Sequence, residues 1–510
     1  MFCAMVFDGV LCFDIARHYS ACALYCYGFP MVSLVQHNFW RHRWLFALAL
    51  SGAVISLSNV FSFPMAVSGG GGVFVVAYLV AHVLIAVPVI MTELLIGRRG
   101  RHSAPHSLAH LSAEAFVSQR WRYLGVVMVV TALIVAAYFL AFSGWAIDYM
   151  WRAGSGQLPT TESGLRFSLT ELLTRSGRMV ALHTLICLLI LLAVALPSQW
   201  GVQLPVAVMG GLLLLLVAAL AFWAMGQGFW AIGVDRLFVA EASLWQIDIW
   251  VRAVALSFYS LGLGLGISLV LGAHMDTNFS IGGTALWVIL VDLLWGLVFA
   301  AVVLGFVQIT PSTDALAFIF VELPQSLAGE QNGTAWLLVL FAVVLLSGLS
   351  TALFLVKHAV MWLHERYRWP RYGAAAVATA AVWVLGFVVI QSLHEWREIR
   401  FYGATLLDWF AHVPTNLIIP MVCLLMVIYT GWILPAHQVI EELKPKAEHR
   451  FPLWHFHLRF VTTLALLAVL VIQVQAAWAV PALLQLVFLG VLLTLGWAVY
   501  RYRHWDWESS

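Results

Sequence analysis

The stretch Ser51–Pro64 reads S-G-A-V-I-S-L-S-N-V-F-S-F-P and lies inside an apolar run that starts near residue 44. A membrane-spanning helix wants about 20 predominantly apolar residues. Here Ser56, Ser58 and Asn59 interrupt the run at mid-depth, and Pro64 follows. Backbone released at that depth persists only where protein or a cavity surrounds it. Two readings fit. In one, an unwound helix offers carbonyls and an asparagine oxygen to a cation, supported by the half-helix dipoles. In the other, a kinked helix packs small polar residues against a neighbour. These residues alone do not separate the two.

The rest of the chain sets the class. Its 510 residues are 63% hydrophobic and 10% charged, with a mean hydropathy of +0.93, which excludes a soluble globular protein. The net charge of +2 gives no sign of a nucleic-acid partner. The six cysteines have no metal or disulfide spacing, and Cys3, Cys12, Cys22 and Cys26 crowd the start. Asp8 and Asp14 precede the first Arg, so the beginning makes a poor signal peptide. Residues 1–30 read as an upstream extension that the cell need not translate, or as a disordered tail.

Apolar runs and loop punctuation predict an all-α polytopic membrane protein with about twelve spanning helices. They fall near 44–67 (broken), 72–97, 122–151, 179–196, 202–225, 247–273 (broken), 282–308, 334–364, 372–393, 403–434, 458–479 and 481–501. One set of loops and helix ends carries Arg41, Arg43, Arg98, Arg99, Arg101, Arg120, Arg122, Arg366, Arg368, Arg371, Lys444, Lys446, Arg450, Arg459, Arg501 and Arg503. The other set holds fewer, among them Arg166, Arg175, Arg397 and Arg400. The positive-inside bias places both termini in the cytoplasm and the chain in the cell inner (plasma) membrane.

A second break decides the architecture. From Ser257 the sequence runs S-F-Y-S-L-G-L-G-L-G-I, with Gly262, Gly264 and Gly266 in mid-span. Each glycine weakens a helix by about 1 kcal/mol against alanine. Taken alone, they fit close helix packing better. Interruptions in corresponding first and sixth segments point instead to a 5+5 inverted-repeat transporter with a midplane site. Helices 1–5 (44–225) and 6–10 (247–434) form the repeats, helices 11 and 12 (458–501) are peripheral, and the whole transporter domain spans 40–503. Residues 1–39 form an N-terminal extension, and 504–510 a short tail.

Trp40, Arg43, Gly52, Asn59, Phe63-Pro64, Gly70-Gly71-Gly72, Phe74, Tyr78, Pro88, Glu93 and Gly97-Arg98 stand in one order and close to one spacing. As an ordered set they resemble the first two helices of the neurotransmitter:sodium symporter family, in its bacterial, leucine-transporter-like form. The resemblance runs, more loosely, from about Trp40 to Arg503. It implies two sodium sites. The second takes carbonyls of Gly52, Ile55 and Ser347 and the hydroxyls of Ser350 and Thr351; neutral oxygens suit a hard monovalent cation. Back-bonding of Ser350 and Thr351 to their own helix is the alternative, and Gly348, which fits the family pattern as well, favours the ion site. The first takes the Val54 carbonyl, Asn59, Ser260 and Asp292. The family usually has Asn or Ser at the position of Asp292. An ionisable group inside a span is a functional candidate by default. Asp292 reads either as a built-in carboxylate that makes transport chloride-independent, as a titrating group that couples protons, or as a structural cap.

The resemblance also implies a substrate pocket of Val54, Leu57, Ser58, Val135, Phe139, Tyr259, Ser260, Gly262, Leu265, Thr351 and Leu355. Its mostly apolar wall suits a hydrophobic amino acid or related zwitterion. Phe139 stands where amino-acid carriers of the family have a carboxylate-anchoring tyrosine, and Ser58 is a candidate substitute donor. For Val135 and Leu355 plain packing is the alternative. The gates are assigned to Tyr259 (lid) and Asp408 outside, and to Glu365 and Trp40 inside. Ser62 replaces the usual outer arginine, so Asp408 needs water or another cation. His37 replaces the inner one, with Arg41 or Arg43 as substitutes. Lys357 either snorkels to the inner surface or lines the inner vestibule. His102, His106 and His110 have i, i+4 spacing but are read as an exposed loop broken by Pro105, a weak zinc candidate.

These observations predict a sodium-coupled symporter of a small organic solute in a lipid bilayer, with sodium at one or two sites, no organic cofactor and a homodimer as its assembly. The alternatives are a proton-coupled transporter using Asp292 and a transport-dead ligand-binding receptor. An enzyme is not expected, since no nucleophile–base set, nucleotide loop or metal cluster stands out.

Overall fold

The computed structural model describes residues 43–239, 246–307, 309, 315–401, 404–443 and 451–476. Trp40, the segment before it, the twelfth helix expected at 481–501 and the tail at 504–510 lie outside the described residues. What is described is a helical bundle, apart from one two-residue antiparallel ladder, Arg400–Phe401 with Ala404–Thr405. Nine helices are long and apolar enough to cross a membrane among the described residues.

Helix 1 is broken as its sequence implies. Its inner half, Arg43–Val54, stops where Ser56 leaves helical geometry (φ −104°, ψ 171°) and caps the short turn Leu57–Val60. Ser56 and Asn59 form a capping box, in which each side chain takes the other's backbone amide. Helix 1 resumes at Ser62 and ends at Gly71, whose non-helical geometry (φ 53°, ψ −144°) is open to glycine; helix 2 begins at Gly72, as its sequence implies, and its first part runs to Ala81. A π-helical turn, His82–Ala86, leads on to Val87–Gly100.

Helix 3 is Arg122–Gly154, helix 4 Ser176–Ala195 and helix 5 Leu204–Gln227, preceded by a π turn at Gln199–Gln203. Helix 6 is Ile247–Leu261 and Ile267–Ala273. Between its halves Gly262, Gly264 and Gly266 have φ of 60°, 72° and 81°, a region that costs other residues roughly 1–2 kcal/mol. Helix 7 is Ile281–Phe306, helix 8 Gly333–Tyr367 and helix 9 Arg371–Leu393. Helix 10 covers Leu406–Ile433 and helix 11 Pro452–Gln473.

Helix 3 lies along helix 8, and helix 1 lies on helix 5. The latter contact is backbone to backbone: a Cβ on Gly52 would meet Val206 O at 2.4 Å and Gly210 Cα at 2.9 Å. The two halves of helix 6 pack on helices 1 and 2. Both breaks are thereby brought to the centre of one bundle. The aromatic core beside them includes Trp145, Tyr149, Phe320 and Phe341, all buried.

Candidate functional site

The gap in helix 1 touches helix 6, where Ser56 Oγ donates to the Ser260 carbonyl at 3.3 Å. Asn59 is oriented by its own cap. Its Oδ1 accepts from Ser56 N and Oγ, both at 3.2 Å. Nδ2 therefore points across to helix 7 and donates to Asp292 Oδ1 at 2.7 Å. Asp292 Oδ2 accepts from Tyr78 Oη at 2.8 Å and from Ser260 Oγ at 3.3 Å, and lies 2.9 Å from His82 Nε2. Tyr78 Oη and Ser260 Oγ are themselves 2.8 Å apart. Every one of these side chains is buried, and a buried carboxylate persists only with such a complement of partners.

Tyr78 and His82 are the members that residue-by-residue reading did not assign. They sit one turn apart on helix 2 with ring centroids 4.0 Å apart. The available signal was a lone histidine in an apolar run, a functional candidate by the same rule as Asp292. His82 Nδ1 faces the Tyr78 carbonyl at 3.0 Å, so both ring nitrogens face oxygens.

Of the oxygens expected at the second ion position, the structure brings Thr351 across to helix 1, where its Oγ1 donates to Ala53 O at 3.3 Å. Ser350 and Ser347 bond back along helix 8, to Ser347 O at 3.2 Å and Val344 O at 3.0 Å. The amides that would continue the ladder onto the Gly52 and Val54 carbonyls are those of Ser56 and Ser58. The first goes to Asn59 Oδ1, the second to Ser56 Oγ. Ile55 N still bonds Ser51 O at 3.0 Å, so the inner half ends there.

Around these positions, Leu57, Val135, Phe139, Leu265 and Leu355 are buried in the core. Phe139 meets the edge of Tyr259 with centroids 5.7 Å apart, while Tyr138 turns to Phe142 at 4.5 Å. Ser58 Oγ lies 3.1 Å from Ser56 Oγ. The unwound strand of helix 6 is held from both sides. Gly264 N donates to Glu93 Oε1 of helix 2 at 2.6 Å, and His358 Nδ1 of helix 8 lies 3.0 Å from Leu265 O. A Cβ on Gly266 would meet His358 Cε1 at 2.3 Å.

Several gate expectations change. Asp408 closes a capping box with Thr405, accepting from Thr405 N at 2.9 Å and Oγ1 at 2.7 Å. Glu365 is held by the Ser103 amide and hydroxyl and by His102 and His106. The histidines expected in an open loop lie on or beside a helix, Ala104–Glu114, in which Pro105 occupies the first turn and so does not break it. No group of three or more His, Cys, Asp or Glu is placed to hold a metal among the described residues. Lys357 does not snorkel to the surface. It is 3% exposed, donates to Ser198 Oγ at 2.5 Å, and lines a narrow cavity with Gln203 and His274.

The comparisons bear on the fold and the family. A crystal structure of MhsT in complex with L-phenylalanine superposes with a TM-score of 0.77 at 22% identity, over 85% of this chain and 99% of that one. It shows the shared fold, two inverted five-helix repeats with broken first and sixth helices. An uncharacterized sodium-dependent transporter of Haemophilus influenzae is 21% identical over 453 residues, 86% of this chain and 98% of the relative. The sodium-dependent dopamine transporter of Bos taurus is 23% identical, covering 90% of this chain and 72% of its own length. The resemblance carried by the ordered residues of the first two helices is borne out. The model of the sodium:neurotransmitter symporter family matches residues 37–175 and 167–500, and the chain belongs to that family.

Proposed function

We propose that this protein carries a small hydrophobic amino acid or related zwitterion into the cell by sodium-coupled alternating access, without a chloride requirement. The observation that carries this reading is the meeting of Asn59, Ser260 and Asp292 at the two helix breaks. Sodium would be held there with the Val54 carbonyl, and at a second position by carbonyls of Gly52 and Ile55 together with Ser347, Ser350 and Thr351. Asp292 supplies a fixed negative charge beside the first position, where chloride would otherwise have to balance the cation. The wall formed by Leu57, Val135, Phe139, Leu265 and Leu355, with Tyr259 as the lid, is apolar and favours an apolar side chain.

The test is uptake of radiolabelled phenylalanine into proteoliposomes. Accumulation should require an inward sodium gradient, be unchanged when gluconate replaces chloride, and fall in the Ser350→Ala, Thr351→Ala double variant. Sodium-insensitive uptake overturns the reading, and binding without flux makes the protein a receptor. A second reading has a specific observation behind it, the 2.9 Å contact of His82 with Asp292. If a proton gradient alone drives uptake and His82→Gln abolishes it, protons rather than sodium are the coupling ion.

A further inference from the structure

The carboxylate of Glu365, at the last turn of helix 8, is gripped by the segment that joins helices 2 and 3. It accepts the Ser103 amide, at 3.2 Å and 3.0 Å to its two oxygens, and the Ser103 hydroxyl. His106 Nδ1 lies 3.1 Å from Oε2, and His102 Nδ1 lies 3.5 Å from Oε1. The imidazoles approach from the same segment, with ring centroids 6.5 Å apart. Their side chains are 44% and 26% exposed, so protons reach them from the adjoining water. The Ser103 amide is a permanent donor; the histidines are conditional ones.

We infer that His102 and His106 are the cationic half of the cytoplasmic gate, closing helix 8 onto the helix 2–3 segment through Glu365, so that gate strength follows cytosolic pH. The inference rests on the alternating-access reading and on both termini lying in the cytoplasm. A proton gained by His102 turns its neutral contact with Glu365 into an ion pair, with His106 completing the same grip on the carboxylate.

The neighbouring charges leave this pairing intact. Arg99 is taken by Glu114 and Glu441. His110, whose ring centroid is 6.5 Å from that of His102, has its pKa lowered by burial, with Glu114 opposing. Lys357, two turns back along helix 8, is bonded to Ser198. Arg371 donates to the Leu196 carbonyl at 3.2 Å. The hydrogen bond to Glu365 raises the His102 pKa above its ordinary value, against the opposing pull of burial. The sign follows. Closure is tightest below the ordinary histidine pKa of about 6.5, and weakens as pH rises through the raised value.

Two measurements on the full chain test this. In proteoliposomes with external pH fixed, raising the pH on the cytoplasmic face from 6 to 8 should speed wild-type turnover several-fold with little change in KM. The His102→Asn, His106→Asn double variant should show a flat profile, because asparagine keeps a neutral donor but cannot titrate. His102→Arg should be slow and less dependent on pH, as a fixed cation. The second measurement does not require transport: in detergent, the wild-type melting temperature should fall by a few degrees between pH 6 and pH 8, and that fall should shrink in the double variant. If wild type and double variant share one pH profile in the melting assay, the gate proposal is overturned even where sodium-driven uptake is robust. If uptake itself is absent while the melting profiles differ, the transport reading fails and the ion pair stands.

Discussion

The two helix breaks are made of different material. In helix 1 side chains do the breaking: Ser56 and Asn59 compete with the ladder for backbone amides and replace two of its bonds with a capping box. In helix 6 the backbone does it, through three glycines at positive φ and no polar side chain. Consequently helix 1 brings ligand-grade oxygens with its break, whereas helix 6 brings shape and borrows its polar partners, Glu93 and His358, from helices 2 and 8. The same fold position is thus filled once by chemistry and once by conformational freedom. Substitutions of the polar residues at the helix 1 break should therefore disturb ion binding, and those of the three helix 6 glycines should disturb folding.

The largest effect is expected at Asn59. Asn59→Ala removes the capping box and one hydrogen-bond partner of buried Asp292, which together cost about 2.5–4 kcal/mol. Sodium affinity, read by isothermal titration or sodium-dependent uptake, should drop at least about a hundredfold. If it barely moves, the polar break is scaffolding. Next is Gly266→Ala, which combines a left-handed φ of 81° with a Cβ 2.3 Å from the His358 ring. It should destabilise the protein by about 2–4 kcal/mol, visible as a lowered melting temperature with ion affinity retained in the folded fraction.

A finer test separates two adjacent hydroxyls. Thr351→Ala should weaken sodium binding about tenfold, in line with one lost bond across helices, and Ser350→Ala should weaken it less, because the Ser350 hydroxyl must first leave the Ser347 carbonyl to reach the ion. Equal effects would mean that Ser350 turns inward when the ion arrives. The smallest effect is expected at Ser56→Ala, about 1 kcal/mol of stability for a lost N-cap, read by thermal unfolding. A larger loss would show that the Ser56 bond to Ser260 couples the two breaks.

Much of this was legible in the chain, for reasons that differ by residue. Asn59, Asp292 and the Gly262–Gly266 run stand out because each violates the apolar pattern around it, and their chemistry names their role. Tyr78 fell inside the family pattern, but the pattern does not say that its hydroxyl meets helix 7. His82 is hard to read because one histidine in an apolar run gives no hint of what it faces; that depends on the register of helix 2 against helix 7. The His102–His106 spacing misleads because Pro105 looks like a breaker, although proline in a first turn starts a helix. Glu365, 262 positions away from Ser103, gave no local sign of its partners. The triple glycine Gly70–Gly72 does mark the junction of helices 1 and 2, through the single non-helical residue Gly71.

The strand Gly262–Gly266 is pinned at two points, by its amide to Glu93 and by its carbonyl to His358. A segment tied to helices on both flanks works as a fulcrum, and the lengths on either side are its two arms. Ser260 rides on one arm, Ile247–Leu261, while the other, Ile267–Ala273, packs along helix 2. A tilt of the second arm about the pinned strand would leave Ser260, on the far side of both ties, in register with Asp292.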